Sequence, residues 1–151
     1  MRVVIQRVAE ASVTVDGSIV GQIGPGMLAL VGIEEADTRE DVGVAAGKLT
    51  GLRIFGDDAG KMNLSVGDTG GSVLVVSQFT LLGDVRRGRR PSFTSAASPD
   101  HAKKMVERLV DEIRSAGIET STGVFGEHMS VELVNDGPVT LVIEVKDGRL
   151  L

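Results

Sequence analysis

Two hydroxyls and a carboxamide, Ser77, Gln78 and Thr80, follow directly on the apolar run Val73-Leu74-Val75-Val76. A run of that kind reads as a buried strand, so its end delivers hydrogen-bonding groups to a surface site; a strand simply leaving the core has the same pattern. Nucleophilic catalysis by Ser77 or Thr80 needs a base within hydrogen-bonding reach. The chain has two histidines, His101 and His128, no cysteine and no Gly-x-Ser-x-Gly elbow. His101 falls in the first turn of an expected helix and reads as solvated. His128, alone beside a strand, reads as structural. A hydrolase triad is therefore not supported, and the absence of cysteine removes thiol nucleophiles, disulfides and thiolate metal sites. Asp57-Asp58 sits in a Gly-rich loop whose turn chemistry accounts for it, so neither metal nor cofactor is expected.

Two other stretches carry chemical potential. Asp84-Val85-Arg86-Arg87-Gly88-Arg89-Arg90-Pro91-Ser92-Phe93 packs four arginines into five residues of a chain whose formal net charge is -5. That is either a solvated loop or a phosphate-binding patch, since the arginine fork suits phosphate oxygens and Phe93 can shape the loop. The overall acidity argues against coating nucleic acid by bulk electrostatics, so any such contact must be local. Asn135-Asp136-Gly137-Pro138 reads as a tight turn, and its Gly-Pro bond is one that can be cis at modest cost. Gly43 to Leu49 and Gly56 to Met62 imitate a phosphate loop but space their glycines one residue too closely and lack the metal-holding hydroxyl, which rejects a nucleotide triphosphatase.

The elements that must position these residues follow from period and punctuation. Val3–Val8, Ala11–Val15 and Ser18–Ile23 read as paired strands with Asp16-Gly17 as the hairpin turn. After Gly24-Pro25-Gly26, Met27–Ile33 is apolar on both faces and should be central. Asp37 with Glu40 forms a candidate capping box for a helix from about 38 to 51. Gly43, Gly47 and Gly51 weaken that helix unless close packing uses their missing side chains. Leu52–Phe55 reads as a short strand. Ser98-Pro99 starts a second helix whose face is Ala102, Met105, Val106, Leu109, Val110, Ile113 and Ala116, stopped by Gly117. Ile118–Val124, Met129–Val134 and Val139–Val145 read as strands, the last two joined by the Asn135–Pro138 turn. The expected fold is α+β, mostly antiparallel and barrel-like, with two main helices.

With 151 residues, 42% hydrophobic and 25% charged, the chain suits one domain over 1–151 with its own core. Aromatics are 3%, all phenylalanine, so Val, Leu, Ile, Ala and Met must fill that core. No apolar run approaches the roughly 20 residues that cross a bilayer, and the first residues lack a signal-peptide core. A cytoplasmic protein without membrane contact is expected.

Val76-Ser77-Gln78-Phe79-Thr80-Leu81, Gly88-Arg89-Arg90-Pro91-Ser92-Phe93, Thr122-Gly123-Val124-Phe125-Gly126 and Leu133-Val134-Asn135-Asp136-Gly137-Pro138-Val139-Thr140 together strongly resemble the D-aminoacyl-tRNA deacylases, formerly D-tyrosyl-tRNA deacylases. The resemblance runs from Met1 to about Val145 and includes Gln6-Arg7-Val8, Ala11-Ser12-Val13-Thr14-Val15, Gly24-Pro25-Gly26, Leu52-Arg53-Ile54-Phe55 and Lys61-Met62-Asn63-Leu64-Ser65. It implies a homodimer that hydrolyses the ester between a D-amino acid, or glycine, and the terminal adenosine of tRNA. It further implies a cis Gly137-Pro138 that enters the partner subunit's site, presents carbonyls to the α-amino group and rejects L-amino acids by exclusion. Ser77, Gln78, Phe79 and Thr80 would line the ester, Phe125 would stack near the adenine, and Met129 and Arg7 would be pocket neighbours. The terminal ribose 2′-OH, rather than Thr80, would help activate water. One departure stands beside the central motif: Leu82-Gly83 replaces the family's common Tyr-Ala, which puts local packing and accessory substrate contacts in question.

Overall fold

The computed structural model describes residues 1–151. Its spine is β1 (Arg2–Val15), a single strand across the two segments that the sequence separates. One edge of β1 pairs antiparallel with β8 (Ser130–Lys146). The other edge is shared, Arg2–Val8 with β3 (Gly26–Gly32) and Ala11–Val15 with β2 (Ser18–Ile23). Asp16 and Gly17 make the β1–β2 turn with φ of 48° and 78°, the left-handed pair that Asp-Gly accommodates best.

Beyond β3 the sheet continues in parallel to β6 (Ser72–Ser77) and β7 (Thr120–Thr122). Parallel neighbours need crossovers, and these contain α1 (Arg39–Gly51), between β3 and β6, and α2 (Pro99–Ser115), between β6 and β7. A short ribbon, β4 (Phe55–Gly56) with β5 (Met62–Leu64), completes the first crossover, so the strand expected over Leu52–Phe55 forms only at its end. β9 (Arg149–Leu150) folds back on the end of β8. The order β7-β6-β3-β1-β8-β9 is an open mixed sheet. β2 curls toward β7, where Ser121 Oγ donates to Gln22 O at 3.1 Å and a Cβ on Gly21 would collide with the Thr122 carbonyl. No ladder closes that gap, so the expected barrel-like outline is a curled open sheet, within the expected α+β class.

Alternation along the central strands builds two cores. Val3, Ile5, Met27, Ala29, Val31, Val73 and Val75 face the helices together with Val42, Leu49, Leu109 and Ile113. Val8, Val13, Leu28, Leu74 and Val76 face the other way, under the curl of β2. Central β3 is thus apolar on both faces, as its composition requires. Each fully buried leucine or isoleucine contributes about 1.5–3 kcal/mol by leaving water.

Local details depart from the sequence expectations for physical reasons. The α1 cap is shifted by one: Thr38 is the N-cap, and Thr38 and Asp41 close the capping box. Asp37 instead accepts from the Met1 ammonium at 2.5 Å and from the Glu34 N–H at 2.6 Å. Gly43, Gly47 and Gly51 face open space, so no close packing exploits them. Gly117 ends α2 at φ +81° as expected, whereas Ser98 occupies the N-cap without a hydroxyl cap. His101 is half-buried, with Nε2 3.0 Å from the Asp37 carbonyl, because the N-terminal end of α2 meets the residues preceding α1. Most consequential is Asn135–Pro138, which does not reverse the chain. Ser130–Asn135 pairs with Val8–Thr14, and Thr140–Glu144 with Arg2–Gln6, in one direction. The segment between is an excursion from a continuous strand rather than a hairpin turn.

Candidate active site

The β6 ladder to β3 ends at Ser77 opposite Val31, and the Gln78 N–H donates to the Val31 carbonyl at 2.7 Å. Phe79–Leu82 then forms a 3₁₀ turn with Leu82 tucked into the protein. Arg2 reaches from β1 to hold that turn, its Nη1 donating to Leu81 O at 2.6 Å while its Nε contacts Glu144 at 2.7 Å. The strand signal therefore stops at Ser77, and the two residues after Gln78 in the motif are presented by a tight turn.

Ser77, Gln78 and Phe79 line a cleft of about 430 Å³, together with Phe93, Phe125 and the α2 face residues Ala102 and Val106. Three sequence-distant motifs, around residues 77, 93 and 125, meet there. A second cleft of about 350 Å³ shares Ser77, Val106 and Phe125 and adds Lys103, Glu107, Asp111 and Arg114 along α2. The apolar face expected along α2 serves two purposes, packing on the core and, through Ala102 and Val106 in its N-terminal half, forming the cleft wall. The sequence presents that face as one apolar stripe, and the structure divides it: Leu109, Val110 and Ile113 are buried, while Ala102, Met105 and Val106 are only partly so.

Thr80 is exposed and does not line the cleft. Its hydroxyl oxygen is bonded to the Gln78 carboxamide, a group that has no protonation equilibrium near neutrality and so cannot serve as its base. His128 is exposed and lines neither cleft. Phe79 is 58% exposed and meets Phe93 edge-on, centroids 5.1 Å apart at 73°. Phe93 in turn anchors the arginine loop, whose two ends are joined by the Asp84–Ser92 bridge, with N···O distances of 2.7 and 2.9 Å. Arg86 clasps Asp84 through Nε at 2.9 Å and Nη2 at 2.7 Å. That fork, with the Arg86 N–H, holds the Asp84 carboxyl down to about 2.

Arg7, Gly137 and Pro138 form a separate group. Arg7 Nη1 donates to Ile54 O at 2.5 Å, and its Nε lies 3.2 Å from Asp136 O and 3.1 Å from Asp136 Oδ2. Asn135 Nδ2 closes the base of the excursion, donating to Arg7 O at 2.8 Å and Val139 O at 3.0 Å. Gly137 has φ +126°, its bond to Pro138 is cis, and both residues are exposed. None of this group lines the Ser77 cleft of the same chain. Met129 is also apart from it, packed on the second core, where a Cβ on Gly123 would meet its sulfur at 2.5 Å.

Comparison with known proteins gives the geometry a context. The family model described as D-Tyr-tRNA(Tyr) deacylase matches residues 4–144. A D-aminoacyl-tRNA deacylase of Geobacter sulfurreducens is 58% identical over 97% of this chain and 96% of its own length. One from Heliobacterium modesticaldum is 57% identical over 99% of each chain. Among solved structures, the c-Myc DNA Unwinding Element Binding Protein superposes with a TM-score of 0.89 at 37% identity, covering 95% of this chain and 98% of that one. A probable eukaryotic D-amino acid tRNA deacylase shares the fold, with a TM-score of 0.80 at 20% identity over 93% and 97% of the two chains.

Proposed function

We propose, from the premise that this chain belongs to the D-Tyr-tRNA(Tyr) deacylase family and is a hydrolase acting on the ester of D-aminoacyl-tRNA, a specific division of labour for that reaction. The cleft of Ser77, Gln78, Phe79 and Phe125 receives the aminoacylated adenosine. Phe125 offers its ring to the unpaired base, as aromatic platforms do for single-stranded ends. The N–H groups that open the 3₁₀ turn have no partner within that turn and face the ester as donors for its tetrahedral oxyanion. Water is the nucleophile, and the terminal ribose 2′-OH assists its attack. The observation that carries this assignment is that the side-chain partner of the Thr80 hydroxyl is the Gln78 amide, a donor, and that no carboxylate or imidazole is bonded to it to act as a base.

The filter for handedness is backbone rather than side chain. Gly137 and Pro138 project from β8, exposed and held on Arg7 and Asn135, as an element that serves the site of a second copy must. In a homodimer their carbonyls take the α-amino group, an L side chain meets the wall they form, and a D side chain or glycine does not. Free D-amino acid and tRNA leave, so the enzyme acts as a chiral proofreader for translation in the cytoplasm. Glycyl-tRNA is a substrate on the same grounds. The decisive experiment pairs D- and L-aminoacyl-tRNA carrying the same side chain: release from the D-ester with sparing of the L-ester is expected. Equal hydrolysis of the two overturns the filter.

A further inference from the structure

The cleft accounts for the terminal adenosine and leaves the rest of the tRNA unassigned. The strongest unexplained feature nearby is the loop over residues 84–92. Arg86 is spoken for by Asp84, but Arg87, Arg89 and Arg90 are exposed and enter no ion pair or hydrogen bond. Three unpaired guanidinium groups on a chain of net charge -5 repel one another unless an anion joins them. The loop is also built rather than slack: the Asp84–Ser92 bridge closes its neck, Gly88 turns its tip at φ +69°, and the Asp84–Arg86 fork fixes one side.

Its position selects the anion. Phe93, immediately beyond the neck, is a wall of the cleft and meets Phe79 edge-on. Arg90 precedes Phe93 by three positions, which limits their Cα separation to about 10 Å. An RNA whose last nucleotide occupies the cleft must carry its preceding phosphates out past this wall, and arginine forks bind phosphate oxygens in pairs.

We propose that Arg87, Arg89 and Arg90 form the site that binds the phosphate backbone of the tRNA acceptor end. The assignment rests on the cleft's reading as the ester site. It makes the loop a backbone reader, indifferent to base sequence, that supplies affinity for tRNA and contributes nothing to the chemical step.

The test is the variant R87Q/R89Q/R90Q, assayed on D-aminoacyl-tRNA and on the small ester 3′-(D-aminoacyl)adenosine. KM for the tRNA substrate should rise at least tenfold with kcat retained, while turnover of the small ester is unchanged. The plot of log(kcat/KM) against log salt should become shallower by about 2, at ~0.7 per lost phosphate contact on a single strand. The charge-preserving R87K/R89K/R90K variant should recover most of that salt slope. Equal loss on both substrates, with the lysine variant no better, overturns the proposal and makes the loop a scaffold of the cleft. Unchanged KM and slope on tRNA overturn it as well. Titration with uncharged tRNA reads the loop independently of catalysis: weaker binding by the glutamine variant supports it even if the wild type spares D-esters, a result that would instead overturn the ester site.

Discussion

Phe93 stands edge-on to Phe79 because residue 83 is glycine. An ideal Cβ at that position would lie 2.9 Å from Phe93 Cε1 and 3.1 Å from the Thr80 carbonyl. Gly83 therefore has a definite packing effect. It lets a ring from the base of the arginine loop close one wall of the cleft.

Gly83→Ala should consequently push the Phe93 ring off Phe79. A displacement of reacting-site walls by a fraction of an ångström lowers kcat/KM on D-aminoacyl-tRNA by on the order of tenfold. Adding Phe93→Leu, which removes the colliding ring edge, should return part of that loss. Steady-state kinetics of the single and double variants check this, and a fully active Gly83→Ala enzyme would show that the ring is not positioned by residue 83.

Thr80→Ala should retain activity within about tenfold of wild type, since a hydroxyl without a base supplies none of the roughly 10²–10⁴-fold of general base catalysis. Replacing the 2′-OH of the terminal adenosine by hydrogen should remove most of the rate. Single-turnover hydrolysis of the two substrates by the two enzymes separates the contributions. Collapse with Thr80→Ala, together with indifference to the 2′-OH, would restore a threonine nucleophile.

These expectations rest on signals of unequal legibility. Strand and helix periodicity was plain for β3 and α2, because Met27–Val31 and the 102–113 face must bury apolar area whatever surrounds them. The cleft motif was legible as a polar ending to an apolar run. The parallel pairing of β6 was not, since period 2 carries no strand direction. Nor was the excursion at Asp136–Val139: Asn-Asp-Gly-Pro has turn chemistry, and only the register of β8 on β1 reveals that the chain continues forward. The α1 cap was misplaced by one residue because Asp37 and Thr38 are both good caps, and the choice is made by a long-range partner, the Met1 ammonium.

Gly137→Ala tests the excursion. At φ +126° an added Cβ would meet Arg7 Nη2 and Val139 Cγ2, each at 2.9 Å, so the residue must shift together with the arginine that holds it. A cost of about 1–3 kcal/mol in unfolding free energy is expected from the backbone conformation. D-ester hydrolysis should fall far more than that stability loss accounts for at assay temperature. Denaturant melts alongside kinetics decide, and undiminished chiral hydrolysis would remove Gly137 from the site.

Gly47→Ala should move stability the other way. The position is exposed on α1 with nothing within 4 Å of an added Cβ, so alanine adds helix propensity without collision. A gain of about 0.5–1 kcal/mol is expected, read from the denaturant midpoint with activity unchanged. Loss of stability would mean that the glycine serves a packing role the structure does not show.

Asp41 ties the start of α1 to the far end of the chain. Its Oδ2 accepts from Thr38 N and Thr38 Oγ1, both at 2.8 Å, and its Oδ1 accepts from Gly148 N at 2.8 Å. Burial disfavours the charge, but those bonds and the nearby Met1 ammonium outweigh it, so the carboxyl is held below its ordinary 3.8. Asn at 41 keeps one acceptor oxygen and turns an NH₂ toward groups that donate, leaving a buried clash worth about 1–3 kcal/mol at neutral pH. The depressed value fixes the sign of the pH dependence. Asp41 stabilises the fold fully above about 4, and its contribution disappears as pH falls through the lowered folded-state value. The stability gap between wild type and Asp41→Asn should therefore be wide at pH 7 and narrow in acid, measured by urea melts across that range. A gap that widens toward acid would contradict the assignment of Asp41 as an ionised clamp.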